Sequence, residues 1–332
     1  MARHAHPDTH RTPIRLNRPT SSARQAHTAR LRHLTLIAAL VAVGATTMST
    51  PAQSQATTTT PQKTGHELVN GVSYYYEISG RGEPILLLHG GLGSTAMFQP
   101  MLPGLSDRRT VIAVDLQGHG RSSLGDRPIR LTDIADDMHA LLTKLGFETV
   151  DVIGYSLGGG IAFRLAVQHP ERVRRLAIIS AGFAQDGFYP EMLPQQAAVG
   201  AAMADMMKET PMYKTYVAVA PHPEDFPKLL DRMGEYMRQP YNWRDDVKKV
   251  TAHTLLVAGD ADMFRLEHIV EFYKLLGGGQ QDAGWQREHM SKNRLAILPG
   301  VTHYEMFMAP SMAATVIPFI NGEGAPVPQG KQ

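Results

Sequence analysis

The sequence predicts an α/β fold in which a mostly parallel central sheet carries helices on both faces and receives a helical cap as an insertion. Short continuous apolar runs recur along the chain, as is typical of strands buried on both faces. Segments with apolar residues at helical spacing separate these runs, and the alternation indicates a parallel sheet covered by helices. It stops at about residues 182–250, where helix-like patterns and seven methionines occur without a buried-strand run. That stretch is the predicted cap.

The first 56 residues have the order of a secretory signal peptide followed by the start of a linker. Seven arginines and a single acid precede the apolar run from Leu34 to Ala45, and the small-residue segment STPAQSQA follows it. A basic segment, a short apolar segment and a small-residue cleavage site are the parts of such a signal. The run is also too short to cross about 30 Å of hydrocarbon. We therefore expect a secreted or periplasmic protein without stable membrane insertion; an organellar transit peptide is the alternative.

The charge of the chain changes sign once this leader is set aside. The whole chain carries 33 basic and 31 acidic residues, a net charge of +2. Without residues 1–56 the counts are 26 and 30, a net charge of −4. Nucleic-acid binding therefore has no electrostatic support. The chain contains no cysteine, which excludes disulfides and a thiolate nucleophile.

The remaining elements follow in order along the chain. Residues 57–64 are polar and without periodicity and are expected to form a flexible linker before a domain at 65–322, with a flexible tail at 323–332. Asn70-Gly71 lies between two strand-like runs and predicts a hairpin. Further strands are expected at residues 84–90, 109–116, 149–156, 174–180, 253–260 and 294–300, and helices at 131–146, 159–170, 266–278 and 311–322.

The segment Gly154-Tyr155-Ser156-Leu157-Gly158 matches the G-x-S-x-G pattern of a nucleophile elbow. It follows a predicted buried strand and precedes a predicted helix, at the sheet edge where ligands bind in open parallel sheets. The glycines give clearance to a serine on a sharp, strained turn. The helix that follows directs its first N–H groups to the same place, where negative charge would develop. Ser156 is therefore the predicted nucleophile.

A serine hydroxyl is a weak nucleophile and needs a base that is itself oriented by a carboxylate. His303 follows the last predicted core strand, and Asp262 follows the strand before it, so the chain order is Ser, Asp, His. We predict His303 as the base and Asp262 as the acid. Asp260, on the same turn, and Asp186, after the sixth strand, are alternatives for the acid.

Other polar residues are given structural roles. His89 and His119 are expected to shape glycine-rich loops through hydrogen bonds, and Asp115 to organise a turn. No compact metal-ligand spacing such as H-E-x-x-H occurs, so neither a metal nor a cofactor is expected. The methionines of residues 182–250 are expected to pack, and their adaptable shape also suits an apolar substrate.

With these motifs the chain resembles the α/β-hydrolase superfamily over roughly residues 65–322, in the capped, single-domain branch that contains esterases, lactonases, carbon–carbon hydrolases and cofactor-free haloperoxidases. The resemblance implies an α/β-hydrolase fold with HGGLGS as the oxyanion loop. It also implies that the backbone N–H groups of Gly91 and Leu157 are the oxyanion donors. Related epoxide hydrolases and haloalkane dehalogenases carry aspartate at the elbow, so the serine here argues against both activities.

The predicted function is that of a serine hydrolase, carboxylesterase-like, which cleaves a carboxylic ester or related acyl bond of a small molecule. Lactone opening, carbon–carbon hydrolysis and peracid formation on the same residues are alternatives. A hydrolase-like ligand receptor with slow turnover is an alternative from another class. The sequence defines neither the substrate nor the oligomeric state.

Overall fold

A computed structural model describes residues 61–323, and its centre is an eight-stranded sheet. The predicted signal peptide, the linker up to residue 60 and the tail beyond residue 323 lie outside the described residues. The strand order is β1-β2-β4-β3-β5-β6-β7-β8, and every pair from β4 to β8 in this order is parallel. The strands are β1 (Lys63–Val69), β2 (Val72–Gly80), β3 (Glu83–Leu88), β4 (Arg109–Val114), β5 (Val150–Tyr155), β6 (Val173–Ile179), β7 (His253–Ala261) and β8 (Arg294–Thr302).

The antiparallel edge of the sheet is the predicted hairpin. Asn70 and Gly71 both adopt positive φ, which the tight turn between paired β1 and β2 requires. β1 begins at Lys63, so the last two residues of the linker expected at 57–64 belong to this strand. The linker prediction relied on polarity, but β1 is an edge strand whose first residues are mostly exposed, and such a strand tolerates polar side chains.

Helices cover both faces of the sheet, which confirms the predicted fold class. α2 buries Ile134, Met138, Leu141 and Leu142, four of the residues at helical spacing in the sequence. The helices are α1 (Leu102–Ser106), α2 (Leu131–Lys144), α3 (Leu157–Gln168), α4 (Met192–Ala197), α5 (Ala204–Met207), α6 (Pro211–Val219), α7 (Phe226–Met237), α8 (Leu266–Leu275) and α9 (Pro310–Ile320), with short 3₁₀ helices at Thr95–Phe98, Pro170–Arg172, Gln185–Gly187, Ala201–Met203, Pro223–Asp225, Arg244–Lys249 and Met306–Met308.

Alternate residues of the central strands enter two separate cores. Leu86, Leu88 and Val152 pack with α2 and α3, whereas Leu87 and Ile153 pack with α1 and α9. This alternation is the period of two that a strand imposes on its side chains. Because helices cover both faces of the sheet, β5 is buried along its whole length. The position of Ser156, which follows β5, is therefore constrained by packing on both faces.

Between β6 and β7 the chain forms helices α4 to α7. The buried side of this insertion packs onto the same core as α2 and α3, through Met207 and Met233 among others. Met206 and Met212 are exposed, so packing does not account for every methionine of the segment. Within residues 61–323, no helix has both the length and the apolar character needed to cross a membrane.

Candidate active site

Ser156 lies at the junction of β5 and α3, in a backbone conformation that non-glycine residues rarely adopt. Its φ is +53° and its ψ is −115°. Its N–H donates to the carbonyl of Ile179 at 2.9 Å, which ties the turn to the end of β6. A β-carbon at Gly154 would overlap the carbonyl of Gly158, and one at Gly158 would overlap the carbonyl of Leu88. The two glycines of the motif therefore allow the close approach of strand, turn and helix that holds the serine.

The structure brings Ser156, His303 and Asp262 together, although they are far apart in the chain. Ser156 Oγ lies 3.0 Å from His303 Nε2, and His303 Nδ1 lies 2.9 Å from Asp262 Oδ1. His303 follows the end of β8, and Asp262 follows the end of β7. Ser156 is half-buried, whereas the imidazole and the carboxylate are buried. The three side chains form one continuous line of hydrogen bonds that ends at the serine.

The two alternative carboxylates lie elsewhere. Asp260 is exposed and accepts a hydrogen bond from the N–H of Gly300. Asp186 is also exposed, and its nearest imidazole nitrogen is Nδ1 of His268, at 4.0 Å. Of the three candidates for the acid, Asp262 is the one that contacts His303.

Four donors surround the carboxylate of Asp262. Oδ1 accepts from the N–H of Met263 at 2.8 Å as well as from His303, and Oδ2 accepts from the Ser180 hydroxyl at 2.5 Å and from the N–H of Gly259 at 3.4 Å. Burial raises the pKa of Asp262, but the hydrogen bond and charge of His303 and the other donors outweigh burial and bring the pKa below its ordinary value. The carboxylate is therefore ionised at neutral pH and can orient an imidazole.

The tyrosine inside the elbow motif holds the backbone of the base. The Tyr155 hydroxyl donates to the carbonyl oxygen of His303. Burial, reinforced by the charge of Asp262, raises the pKa of Tyr155 well above its ordinary value, so the phenol keeps its proton and remains a donor. Neither Tyr155 nor Ser180 was predicted from the sequence to have a role in the site. The sequence features that could have indicated one are the position of Tyr155 inside the motif and the position of Ser180 at the end of a buried strand.

The HGGLGS loop packs against the elbow. A β-carbon at Gly90 would lie 3.4 Å from the β-carbon of Ser156, and the N–H of Gly158 donates to the carbonyl of His89. The N–H groups of Gly91 and Leu157 donate to no acceptor within residues 61–323. Leu157 is the first residue of α3, where N–H groups have no partner inside the helix. Both predicted oxyanion donors therefore lack a protein acceptor within the described residues.

The remaining polar residues of this region shape its loops. His89 contacts the carbonyl of Gly90 through Nδ1 and accepts from the N–H of Leu116 through Nε2. Burial lowers the pKa of His89 to about 4 and that of His119 to about 3, so both imidazoles are neutral. Asp115 accepts from the N–H groups of Thr95 and of Arg121. These contacts agree with the structural roles predicted for the three residues.

The rim of the site is apolar and aromatic. The terminal methyl of Met233 in α7 lies 3.2 Å from the position of a β-carbon on Gly91. The ring of Tyr304 meets that of His303 edge to face, with 5.9 Å between centroids. A cleft of about 350 Å³ beside Asp262 is lined by Tyr189, Glu191, Met192, Ala261, Met263 and Tyr304. Apart from Glu191 and Asp262 itself, the side chains named here are apolar or aromatic, and the cleft adjoins Asp262 and not Ser156.

A second group of titratable side chains lies at the far end of α3, roughly 18 Å from the elbow for a helix of this length. Ligand atoms of His139, His169 and Glu171 lie within 4.8 Å of one another. The two imidazoles are stacked, 3.9 Å apart and inclined by 18°, and Arg172 donates to Nδ1 of His139. Parallel rings do not direct their lone pairs to one point, and a guanidinium repels a cation, so the arrangement does not fit a metal ion.

Comparison with known proteins relates the chain to one family. The α/β hydrolase fold family matches residues 83–282, more than half of the chain. The matched range contains Ser156 and Asp262 and ends before His303, so the family match itself does not extend to the predicted base.

Individual relatives match a shorter part. RutD of Azorhizobium caulinodans, named for carbamate hydrolysis, is 41% identical over 114 residues, 34% of this chain and 43% of its own length. A 2-hydroxymuconate semialdehyde hydrolase of Pseudomonas sp. strain CF600 is 38% identical over 124 residues, 36% of this chain and 44% of its own length. The chain thus spans less than half the length of the curated relatives it matches. The crystal structure of carboxylesterase CesB from Bacillus subtilis shares the fold, with a TM-score of 0.60, 20% identity and coverage of 79% of this chain and 92% of that one.

Proposed function

The chain belongs to the α/β hydrolase fold family, and we propose that it is a hydrolase, more precisely a serine hydrolase that cleaves a carboxylic ester or a related acyl bond of a small molecule. One observation carries the proposal, namely the line of hydrogen bonds from Asp262 through His303 to Ser156. The alternative acids Asp260 and Asp186 do not take part in it.

The mechanism follows from the positions of the donors and acceptors. The Ser156 hydroxyl attacks the acyl carbon while Nε2 of His303 takes its proton, and Asp262 keeps the proton of Nδ1 in place so that Nε2 is free to accept. The imidazolium then gives its proton to the leaving alcohol, and an acyl-serine remains. Water attacks this ester by the same path, its proton passing to His303 and then to the Ser156 oxygen. The products are the acid and the free enzyme.

The negative charge of the tetrahedral intermediate would be met by the N–H groups of Leu157 and Gly91. Both lack a protein acceptor within the described part of the chain, and Leu157 begins a helix whose dipole adds to the effect. Removing one such donor typically costs about 10²- to 10³-fold in turnover. Apolar groups, including Met233 over Gly91, border this position, which supports an apolar acyl group as the preferred substrate.

Carbon–carbon bond hydrolysis is the second candidate, since the relative from Pseudomonas sp. is named for the hydrolysis of a semialdehyde. Ser156, His303 and Asp262 would be the catalytic residues of this reaction as well. A panel of p-nitrophenyl esters, lactones and carbon–carbon hydrolase substrates of graded size separates the two activities. Slow steady-state turnover together with stoichiometric labelling would instead identify a ligand receptor.

The decisive test replaces the nucleophile. We expect the protein without residues 1–56 to react with a fluorophosphonate probe and to hydrolyse short esters, and Ser156→Ala to abolish both. Ser79→Ala is the matched control, because Ser79 is also a buried serine but lies on β2, away from the elbow. Retention of most esterase activity in Ser156→Ala would refute the mechanism.

We also propose that the enzyme works outside the cytoplasm, on the evidence of residues 1–56. Expression of the full chain in a Gram-negative host, followed by N-terminal sequencing of the periplasmic protein, tests this. Cleavage after Ser54 or Ala56 is the expected result, and an uncleaved cytoplasmic protein would contradict it.

A further inference from the structure

Ser180 stands at the end of β6, outside every motif recognised in the sequence, yet it touches the proposed site. The residue is fully buried, and its φ is +51°, a conformation that serine rarely adopts. Its N–H donates to the carbonyl of Val257 at 2.8 Å, which ties it to β7. Its hydroxyl lies 2.5 Å from Oδ2 of Asp262. A strained, buried backbone thus presents one hydroxyl to one carboxylate.

The two oxygens of Asp262 are held in different ways. Oδ1 accepts from the backbone N–H of Met263 at 2.8 Å and from His303 at 2.9 Å. Oδ2 has the Ser180 hydroxyl at 2.5 Å and only a long contact of 3.4 Å from the N–H of Gly259. A carboxylate can turn about the bond that joins it to the chain, and any such rotation moves both oxygens, so a hydrogen bond to either oxygen resists it. Ser180 provides the one short hydrogen bond to Oδ2, which adds to this resistance and helps to keep Oδ1 directed at His303.

We propose that Ser180 is a positioning residue of the active site, which fixes the plane of the Asp262 carboxylate and through it the orientation of His303. This inference depends on the proposed function, because it assigns a fourth side chain to the same reaction. Among the described residues, Ser180 has no hydrogen bond to His303 or Ser156, so its hydroxyl acts on the site through Asp262.

The hydrogen bond of Ser180 also bears on the protonation of the site. It is one of the interactions that lower the pKa of Asp262 against the opposing effect of burial. The other titratable groups close to Asp262 are His303, which donates to it, Tyr155, whose phenol keeps its proton, and the side chains of Tyr189, Glu191 and Tyr304 that line the adjoining cleft. Without the Ser180 hydroxyl, the pKa of Asp262 rises.

Two variants separate the hydroxyl from the backbone. Ser180→Ala removes the hydroxyl and keeps the β-carbon at positive φ, whereas Ser180→Gly removes the hydroxyl and also the strain. The hydrogen bond from Ser180 orients the carboxylate of Asp262. Losing one hydrogen bond to a charged group corresponds to a rate about 10- to 100-fold lower. We expect this loss in kcat for both variants, with KM within about threefold. Ser79→Ala, the buried serine of β2, should leave both quantities unchanged.

A second measurement does not depend on turnover. The proton on Nδ1 of His303, shared with Asp262, gives a low-field ¹H NMR resonance, which should shift or broaden in both variants. Wild-type kcat in both Ser180→Ala and Ser180→Gly, with an unmoved resonance, would overturn the proposal. So would a loss in Ser180→Ala that Ser180→Gly restores, because strain and not the hydroxyl would then be responsible. If the wild-type protein turns over no acyl substrate while the resonance still responds, the proposed function fails and the positioning role stands.

Discussion

Replacing Asp262 by Asn tests how much of the proposed catalysis depends on the charge of the acid. In the structure, every contact of this carboxylate comes from a donor. An asparagine can keep its oxygen toward the N–H groups of Met263 and His303. Its amide would then face the Ser180 hydroxyl, which can turn to accept. In this orientation His303 keeps its proton on Nδ1, the long contact of 3.4 Å from the N–H of Gly259 loses its acceptor, and the main loss is the negative charge.

The size of the loss follows from Coulomb's law. Oδ1 and Nδ1 are 2.9 Å apart, which sets the carboxylate and imidazolium charges roughly 4 Å apart. At an effective dielectric constant of about 20 this pair is worth about 4 kcal/mol. Because the imidazolium forms only as the reaction proceeds, this energy is lost from the transition state. The expected fall in kcat is on the order of 10³-fold.

The assay is steady-state ester hydrolysis with Asp260→Asn as the matched control. Asp260 lies two residues away and accepts a hydrogen bond from the N–H of Gly300. The side-chain oxygen of an asparagine can accept the same hydrogen bond. Asp260→Asn should retain kcat within about threefold, since changes at exposed positions have small effects. A fall of less than tenfold in Asp262→Asn, or equal falls in the two variants, would refute the electrostatic reasoning.

Three further predictions concern the residues that hold the site. Tyr155→Phe leaves the carbonyl of His303 without its donor, and should cost about 1–3 kcal/mol of unfolding free energy, measured in urea, with a lower kcat and an unchanged KM. His89, with its pKa lowered to about 4, stabilises the fold fully above pH 6.5 and loses that contribution as pH falls toward 4. The unfolding free energy of His89→Gln should therefore change less between pH 7 and pH 5 than that of the wild type, and equal changes would contradict this. Gly158→Ala should cost about 3 kcal/mol or more by overpacking, whereas Gly200→Ala, whose new methyl would meet only a movable carboxylate, should be close to neutral in thermal unfolding.

Much of the fold could be predicted because its signals are local. The all-buried strand before Ser156 reads as a mostly apolar run that includes Asp151, and the glycines at 154 and 158 mark the elbow. The positions of Asp262 and His303 could be inferred because carboxyl ends of parallel strands meet at one edge of a sheet. The beginning of β1 at Lys63 was missed, since polar residues of an edge strand resemble a linker.

The sequence predicted Asp262 as the acid but kept Asp260 as an alternative, and the structure gives the geometric reason why the two differ. The pairing of β7 with β8 shifts between Gly259 and Ala261, and such an irregularity changes the direction in which the following side chains point. Asp260 consequently remains on the surface while Asp262 is buried. No pattern in the amino-acid sequence predicts such a shift in strand pairing.

The roles of Ser180 and Tyr155 were hidden for another reason. Each acts on a partner far along the chain, 82 residues away for Ser180 and 148 for Tyr155. A hydroxyl has no preferred partner that its neighbours in sequence could reveal. Contacts of this kind become visible only when the elements are assembled.

The backbone at residue 156 is set by its neighbours and not by its own side chain, and this has a consequence for what the scaffold can do. Gly154 and Gly158 permit the approach, and the carbonyl of Ile179 fixes the turn, so none of the forces involved acts on the hydroxyl. A thiol or a carboxylate carried on the same α-carbon would be presented at the same point, beside the same imidazole. The atom that reacts can be changed by substitution, whereas its position is set by the backbone. A single substitution at residue 156 could therefore give the same fold a different chemistry.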